Sequence, residues 1–300
     1  MSSSPEYAIR PRARINLTRR TAAIALVLPP LALVSIFFVV PLTYLLYGSF
    51  LEPSQTELFG SRLTLANYTS VLGDDLYHLI ISRTLLVSAL VVGLSILIGY
   101  PAALFIARLS SRGRLFMLMV LLLPLMVSNV VRAYGWLALL GRRGVVNGTL
   151  QTAGLIERPL SLLYGIEAIA LGLLTVLLPY VIISIANTLA QIDKVYGEAA
   201  HSLGANPLRT FIHVTWPLSS PGVAAGLMLS FFLMLSAYVT ITLLGGARYK
   251  LLVSMIYDST VSFQWPKAAA IAFILLAIAL SGALVIQLIL RPQRVRGAGS

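Results

Sequence analysis

One polar stretch interrupts an otherwise apolar sequence, and its residue types suit docking against another protein rather than bond-making chemistry. It runs from Glu198 to Pro217. Glu198 could pair with an arginine or lysine of a partner, because oppositely charged groups form strong hydrogen-bonded pairs. Ala199 and Ala200 add little bulk, so a short helix carrying them could lie deep in a partner's groove. A solvated loop between two membrane helices would explain the same stretch equally well.

The residues that commonly perform covalent chemistry form no recognisable set. The histidines, His78, His201 and His213, lack metal-ligand spacing, and the sequence contains no cysteine. It also lacks the Gly-x-x-x-x-Gly-Lys-Ser/Thr loop that binds nucleotide phosphates. We therefore expect no enzymatic activity, no metal site and no cofactor in this chain.

Turn and cap residues predict two short helices within the polar stretch. The first covers about Val195 to Leu203 and ends at Gly204, which can adopt the left-handed backbone conformation that terminates a helix. Asn206 suits the N-cap of the second helix. Pro207 suits its first position, where a backbone N–H would have no partner in the helix.

The second helix has an apolar pattern and a proline boundary. Leu208, Phe211 and Ile212 are spaced to form an apolar stripe on one face. Proline ends or kinks a helix, because it lacks an N–H and its ring clashes with the preceding turn. We therefore expect Pro217 and Pro221 to close the segment before the next apolar run.

The composition is typical of a membrane protein. Of 300 residues, 58% are hydrophobic and 11% are charged, whereas soluble domains average about 25% charged residues. Six apolar segments are each long enough to cross about 30 Å of hydrocarbon as a helix. They cover residues 21-47, 79-107, 115-140, 165-190, 222-244 and 268-290. The sequence predicts an all-α membrane protein with six transmembrane helices in a domain at 21-290, flanked by basic segments at 1-20 and 291-300.

The uneven distribution of basic residues predicts the orientation in the membrane. Six spans place both termini on one side, together with the turn at 108–114 and the loop at 191-221. That side carries thirteen basic and three acidic residues, whereas the opposite loops carry eight basic and seven acidic ones. Because basic residues collect in cytoplasmic loops, both termini and the loop at 191-221 are predicted to be cytoplasmic. The net charge of +12 therefore requires no nucleic-acid partner.

Polar and aromatic side chains within the spans are candidates for a translocation path or gate. The candidates are Asn129, Arg132, Tyr134, Trp136 and Tyr238. An arginine within a span costs about 2.5–3.5 kcal/mol on insertion scales and usually faces a partner or a water-filled cavity. Arg132 could therefore line a substrate path. Alternatively, it has a structural role, either reaching the outer interface or pairing with Glu167 or Asp258.

The polar stretch resembles the cytoplasmic coupling loop of ABC importer permeases. The family pattern is Glu-Ala-Ala, three residues, Gly, nine residues, Ile, one residue, Leu-Pro. Residues that match in register are Glu198, Ala199, Ala200, Gly204 and Pro217. Val214 and Trp216 replace the isoleucine and leucine but are also apolar. The resemblance implies a type I ABC importer permease fold and a loop that docks on a separate ATP-hydrolysing subunit, which would bind the ATP and magnesium.

A second region of the sequence resembles a narrower group within the ABC importer permeases. The runs from Val131 to Trp136 and from Leu140 to Asn147 resemble the first permease subunit of spermidine/putrescine importers. This resemblance implies a place in the lipid bilayer of the bacterial inner membrane and a polyamine or similar cation as substrate. The implied partners are a second permease, two ABC ATPase subunits and a periplasmic binding protein.

An ion-gradient-driven secondary transporter is the alternative. Such transporters use acidic residues or histidines near the membrane centre to couple protons or sodium to transport. No acidic residue lies in the middle of any predicted span. The sequence therefore favours an ATP-driven importer.

Overall fold

The computed structural model describes residues 17–54 and 57–290, and this part of the chain is almost entirely helical. The helices are α1 (Leu17–Ser49), α2 (Ala66–Leu72), α3 (Asp75–Arg108), α4 (Ser111–Leu122), α5 (Asn129–Leu140), α6 (Val145–Thr152), α7 (Ile166–Gln191), α8 (Lys194–Ser202), α9 (Pro207–Thr210), α10 (Trp216–Leu235), α11 (Tyr238–Gly245), α12 (Leu252–Val261) and α13 (Trp265–Ile289). A 3₁₀ turn (Leu123–Met126) follows α4, and a π turn (Phe211–Thr215) follows α9. The predictions for residues 1–16 and 291-300 lie outside the described residues.

Five helical runs are long and apolar enough to cross a membrane. They are Leu26–Ser49, Asp75–Arg108, Ile166–Leu189, Pro207–Leu235 and Trp265–Ile289. A bent pair, Ser111–Met126 and Asn129–Thr152, makes a sixth crossing if it is counted as one span. The all-α membrane fold predicted from the sequence is therefore confirmed.

The internal contacts divide the chain into residues 1–48 and 49–300. In the first unit, α1 continues through Pro29, Pro30 and Pro41 without a break. Its large apolar side chains from Leu26 to Tyr47 are exposed. An apolar surface of this extent is suited to lipid or to another membrane protein.

The third predicted span, residues 115-140, is not one straight helix. Its two halves meet at an angle of 88°. Pro124 lies in the 3₁₀ turn, and Val127 has extended backbone angles. Ser128 then starts α5 as its N-cap, with its Oγ accepting a hydrogen bond from the Val130 N–H at 3.3 Å. The helix bends here because proline removes a backbone donor and a new N-cap follows within four residues.

The fifth predicted span, residues 222-244, begins earlier and breaks sooner than the sequence indicated. Helical structure runs from Pro207 to Leu235, so the prediction that Pro217 and Pro221 close the preceding segment was wrong. The π turn ends at Thr215, two residues before Pro217. A wider turn can accommodate the missing N–H of a proline without ending the helix. The run ends at Ser236 and Ala237, after which α11 begins.

The core of the second unit forms where α3, α7 and α10 pack against one another. Two glycines permit close approach of these helices. A Cβ at Gly99 would lie 3.0 Å from Val181 Cγ1, and one at Gly226 would lie 3.3 Å from the Val181 backbone. Small residues at such contacts let membrane helices pack by close van der Waals contact. A separate apolar cluster joins α2, α3, α12 and α13.

Candidate functional site

The helix that carries the Glu-Ala-Ala sequence is a short, exposed element joined to the spans by well-defined caps. Asp193 caps α8, and its Oδ1 accepts a hydrogen bond from the Val195 N–H at 3.0 Å. None of the α8 side chains is buried. The helix is therefore positioned by its ends and available for contact along its length.

The turn after α8 has the geometry predicted from its sequence. Gly204 has a φ of +80°. The Ala205 N–H donates to the Ala200 carbonyl at 3.0 Å, and the Gly204 N–H donates to the His201 carbonyl at 2.9 Å. Asn206 Oδ1 accepts a hydrogen bond from the Arg209 N–H at 2.8 Å, which caps α9. These bonds satisfy backbone groups that helix ends would otherwise leave unpaired.

An apolar surface is exposed on both sides of this turn. We call it the loop surface, and it comprises Val195, Tyr196, Leu203, Leu208 and Ile212. Leu203 has the largest exposed fraction among them, 89%. Phe211 does not share this face, because its ring packs inward against Tyr100 and Trp216. The predicted stripe of Leu208, Phe211 and Ile212 is therefore divided between two faces.

Glu198 lines an open groove between α8 and the basic turn that follows α3. The groove has a volume of about 650 Å³, and Arg108, Arg114 and Lys194 also line it. Within the described residues, no basic side chain forms an ion pair with Glu198. Ala199 is exposed and Ala200 is half-buried, while Pro217 lies half-buried in the first turn of α10. The five residues of the motif thus span α8, its terminal turn and the base of α10.

Arg132 forms its hydrogen bonds with residues at the break in the third span and not with an acidic side chain. Its guanidinium donates to Asn129 Oδ1 at 3.2 Å, to the Val127 carbonyl at 3.1 Å and to the Pro124 carbonyl. The suggested pairing with Asp258 is wrong, because that carboxylate binds Lys250 at 2.6 Å. Three acceptors around one guanidinium give Arg132 a clear structural role at the 88° bend.

The other path candidates lie on α5 and α11, which pack against each other. Tyr134 is exposed, whereas the Trp136 indole Nε1 donates to Thr175 Oγ1 at 3.3 Å. Tyr238 follows the helix break at Ser236 and stacks on Tyr257, with ring centroids 4.2 Å apart. The structure therefore brings Asn129 and Arg132 together but does not join all five candidates in one site.

Replacing Arg132 with lysine is expected to weaken the bend. An ammonium group cannot reproduce the planar set of donors that reaches three acceptors at once. We expect a loss of about 1 kcal/mol, the typical net contribution of one hydrogen bond, measured as a lower thermal midpoint of the purified protein. Arg142→Lys is the matched control, because Arg142 is exposed in the following loop. Equal midpoints for the two variants would contradict this role.

Comparison with known proteins identifies the family to which this architecture belongs. Residues 95–295 match the family described as binding-protein-dependent transport system inner membrane component. The chain belongs to this family. The permease is therefore a multi-pass inner-membrane transport protein, as predicted, and a subunit of an ABC importer.

Two relatives from Escherichia coli cover most of the permease. It is 30% identical over 236 residues to the spermidine/putrescine transport system permease protein PotB, covering 78% of this chain and 86% of that protein. It is 31% identical over 253 residues to the inner membrane ABC transporter permease protein YdcU, covering 80% of each.

Two solved structures share the fold of the permease. One belongs to a bacterial ABC transporter that imports the acidic polysaccharide alginate, with a TM-score of 0.71, 22% identity and coverage of 94% of this chain and 98% of that one. The other is an alginate transporter in complex with its pentasaccharide-bound periplasmic protein, with a TM-score of 0.72, 21% identity and coverage of 96% and 100%.

Several residues of interest were not found from the sequence. Tyr257 comes close to Tyr238 only through the packing of α12 against α11. Val195, Tyr196 and Leu203 extend the loop surface beyond the matched motif. Their apolar character within a polar stretch was a usable signal, because exposed apolar patches commonly mark interfaces.

Proposed function

We propose that this permease is one of two membrane subunits of an ATP-driven importer for a polyamine or a similar small organic cation. In this proposal, two ABC ATPases supply the energy, and a periplasmic binding protein delivers the substrate. The observation that carries the proposal is the exposed α8 with its left-handed turn at Gly204. The sequence of this segment matches the coupling-loop motif, and Gly204 has the left-handed backbone conformation predicted from the sequence.

The loop surface is the proposed docking site for an ATPase. It exposes apolar side chains on both sides of Gly204, beside the carboxylate of Glu198. An apolar centre with charged groups at its margin is typical of a protein–protein interface. The predicted orientation, with residues 191-221 and both termini in the cytoplasm, places this surface on the side where ATP is available.

The cationic substrate is supported by the aromatic groups near the break between α10 and α11. Tyr238 and Tyr257 stack there. Tyr257 is 48% exposed. A cation gains from contact with a tyrosine face. The name of the PotB relatives, spermidine/putrescine transport system permease proteins, points to the same class of substrate.

Gentle detergent extraction of the tagged permease from its native membrane tests the assembly. We expect an ABC ATPase and a second six-span permease to co-purify, as identified by mass spectrometry. The associated binding protein, titrated with putrescine and spermidine, should bind a polyamine. A chain that purifies alone and still transports when ATP is depleted would instead support an ion-gradient mechanism.

Substitution of Tyr238 tests its contribution to a cation path. We expect Tyr238→Leu to lower putrescine import about twofold to thirtyfold, because a cation–π contact is worth about 0.5–2 kcal/mol. Tyr238→Phe retains the aromatic face and should import normally. The measurement is uptake of labelled putrescine at equal amounts of assembled transporter. Normal uptake by Tyr238→Leu would show that this residue does not contribute to the path.

A further inference from the structure

A buried aromatic cluster lies between the polar stretch and span α3. Tyr100 is 4% exposed. Its ring meets Phe211 edge to face, with centroids 5.6 Å apart, and lies against Trp216 at 5.1 Å. The Phe211 and Trp216 centroids are 6.4 Å apart, so the three rings contact one another. The π turn begins at Phe211, and α10 begins at Trp216.

A hydrogen-bond chain reinforces this cluster. The Tyr100 hydroxyl lies 2.8 Å from Ser219 Oγ, and the Ser219 hydroxyl donates to the Trp216 carbonyl at 3.1 Å. A serine hydroxyl has one proton to donate and two lone pairs to accept. Tyr100 is therefore the donor to Ser219, and the chain runs from α3 into the first turn of α10. Ser219 is buried, so solvent does not compete for these bonds.

The cluster joins two parts of the molecule that differ in how firmly they are held. On one side, Ile182, Ile185 and Leu189 of α7 pack with Tyr100 in the same buried core. On the other side, α8 has no buried side chain and contacts α9 and the π turn. The π turn therefore connects α8 to the buried rings, because it contacts α8 and contains Phe211.

We propose that Tyr100 is a positioning residue that makes the base of the polar stretch move together with span α3. The proposal rests on the function proposed above, in which an ATPase docks on α8. Displacement of α8 then reaches the rings of Phe211 and Trp216 through the π turn. Tyr100 transmits this displacement to α3, because packed aromatic rings and a buried hydrogen bond resist separation. Coupling between ATP hydrolysis and transport requires this contact.

Two substitutions separate the hydroxyl from the ring. Tyr100→Phe retains the stacked ring and loses the bond to Ser219, whereas Tyr100→Leu loses both. The assay uses the whole transporter in proteoliposomes and measures putrescine imported per ATP hydrolysed. We expect this ratio to fall about threefold in Tyr100→Phe, because that variant loses one hydrogen bond. In Tyr100→Leu we expect at least about a tenfold fall, because two aromatic contacts are also lost.

Tyr77 provides the matched control. It lies on the same helix, is also 4% exposed and belongs to a separate apolar cluster at the other end of α3. Tyr77→Phe and Tyr77→Leu should change the import ratio less than twofold. An equal fall in the Tyr77 variants would show a general loss of packing and overturn the proposal, as would an unchanged ratio in Tyr100→Leu.

Two further readouts separate assembly from coupling. The ATPase should co-purify with each Tyr100 variant, because Tyr100 is not part of the loop surface. If Tyr100→Leu fails to assemble, Tyr100→Phe decides, and an unchanged import ratio in it overturns the proposal. Failure of the wild-type transporter to hydrolyse ATP in response to its binding protein loaded with putrescine or with spermidine would reject the proposed function itself.

Discussion

Replacing Glu198 with lysine is expected to reduce ATP-driven import about a hundredfold while leaving the permease inserted in the membrane. Arg108, Arg114 and Lys194 line the groove beside this residue. Charge reversal would make the groove strongly basic and would place like charges against a basic partner, which costs several kcal/mol at an interface. Insertion should persist, because α8 has no buried side chain and lysine is as good a helix former as glutamate.

The measurement is substrate import per ATP hydrolysed in the reconstituted transporter, together with the amount of ATPase that co-purifies. Glu157→Lys is the matched control, because Glu157 is an exposed acid in the loop between α6 and α7. It should import normally. Glu198→Gln, which removes the charge without reversing it, should give an intermediate defect. Normal import by Glu198→Lys would show that this side chain does not contribute to docking.

The terminal turn of α8 was predictable because its determinants are local. Gly204, Asn206 and Pro207 each act on backbone groups within four residues along the chain. The resulting φ of +80° and the bond from the Arg209 N–H to Asn206 follow from covalent structure and short-range hydrogen bonding. Distant parts of the protein have little influence on such features. The apolar lengths of the spans were predictable for a similar reason, because each helix satisfies its own backbone in lipid.

The inward face of Phe211 was not predictable from helical spacing. A regular helix would place it near Leu208 and Ile212. The π turn from Phe211 to Thr215 alters that spacing, and the ring packs on Tyr100, more than one hundred residues earlier. The effect of Pro217 and Pro221 was misjudged for a related reason. Pro124 accompanies an 88° bend, whereas Pro217 and Pro221 lie within continuous helix. The packing around each proline decides between these outcomes.

The candidate path residues show the same limit of sequence analysis. Arg132 was recognised as unusual from its residue type, but the carbonyls that it binds are exposed only because the span breaks. Tyr238 was selected for its polar group within a span. Its stacking on Tyr257 depends on the packing of α12 against α11. Residue type thus identified sites of interest, while tertiary packing determined their contacts.

Gly204→Val is expected to reduce ATP-driven import about tenfold or more by altering the turn that ends α8. A Cβ at Gly204 would have no heavy atom within 4 Å in the described part of the chain, so steric contact with neighbours is not the cause. The cost lies in the backbone, because a left-handed conformation costs a non-glycine residue about 1–2 kcal/mol. Valine is affected further, since its branched Cβ disfavours positive φ.

A series at this position distinguishes backbone conformation from side-chain size at the interface. Asparagine tolerates the left-handed conformation better than other side chains, so Gly204→Asn should import better than Gly204→Ala, although its side chain is larger. Gly197→Ala is the matched control, because a Cβ there also has open space but the residue lies within α8. It should be neutral, because alanine favours a helix over glycine. If import instead falls with side-chain size, from alanine to asparagine and valine, then contact with the ATPase decides the outcome, and the left-handed turn is not the reason for glycine here.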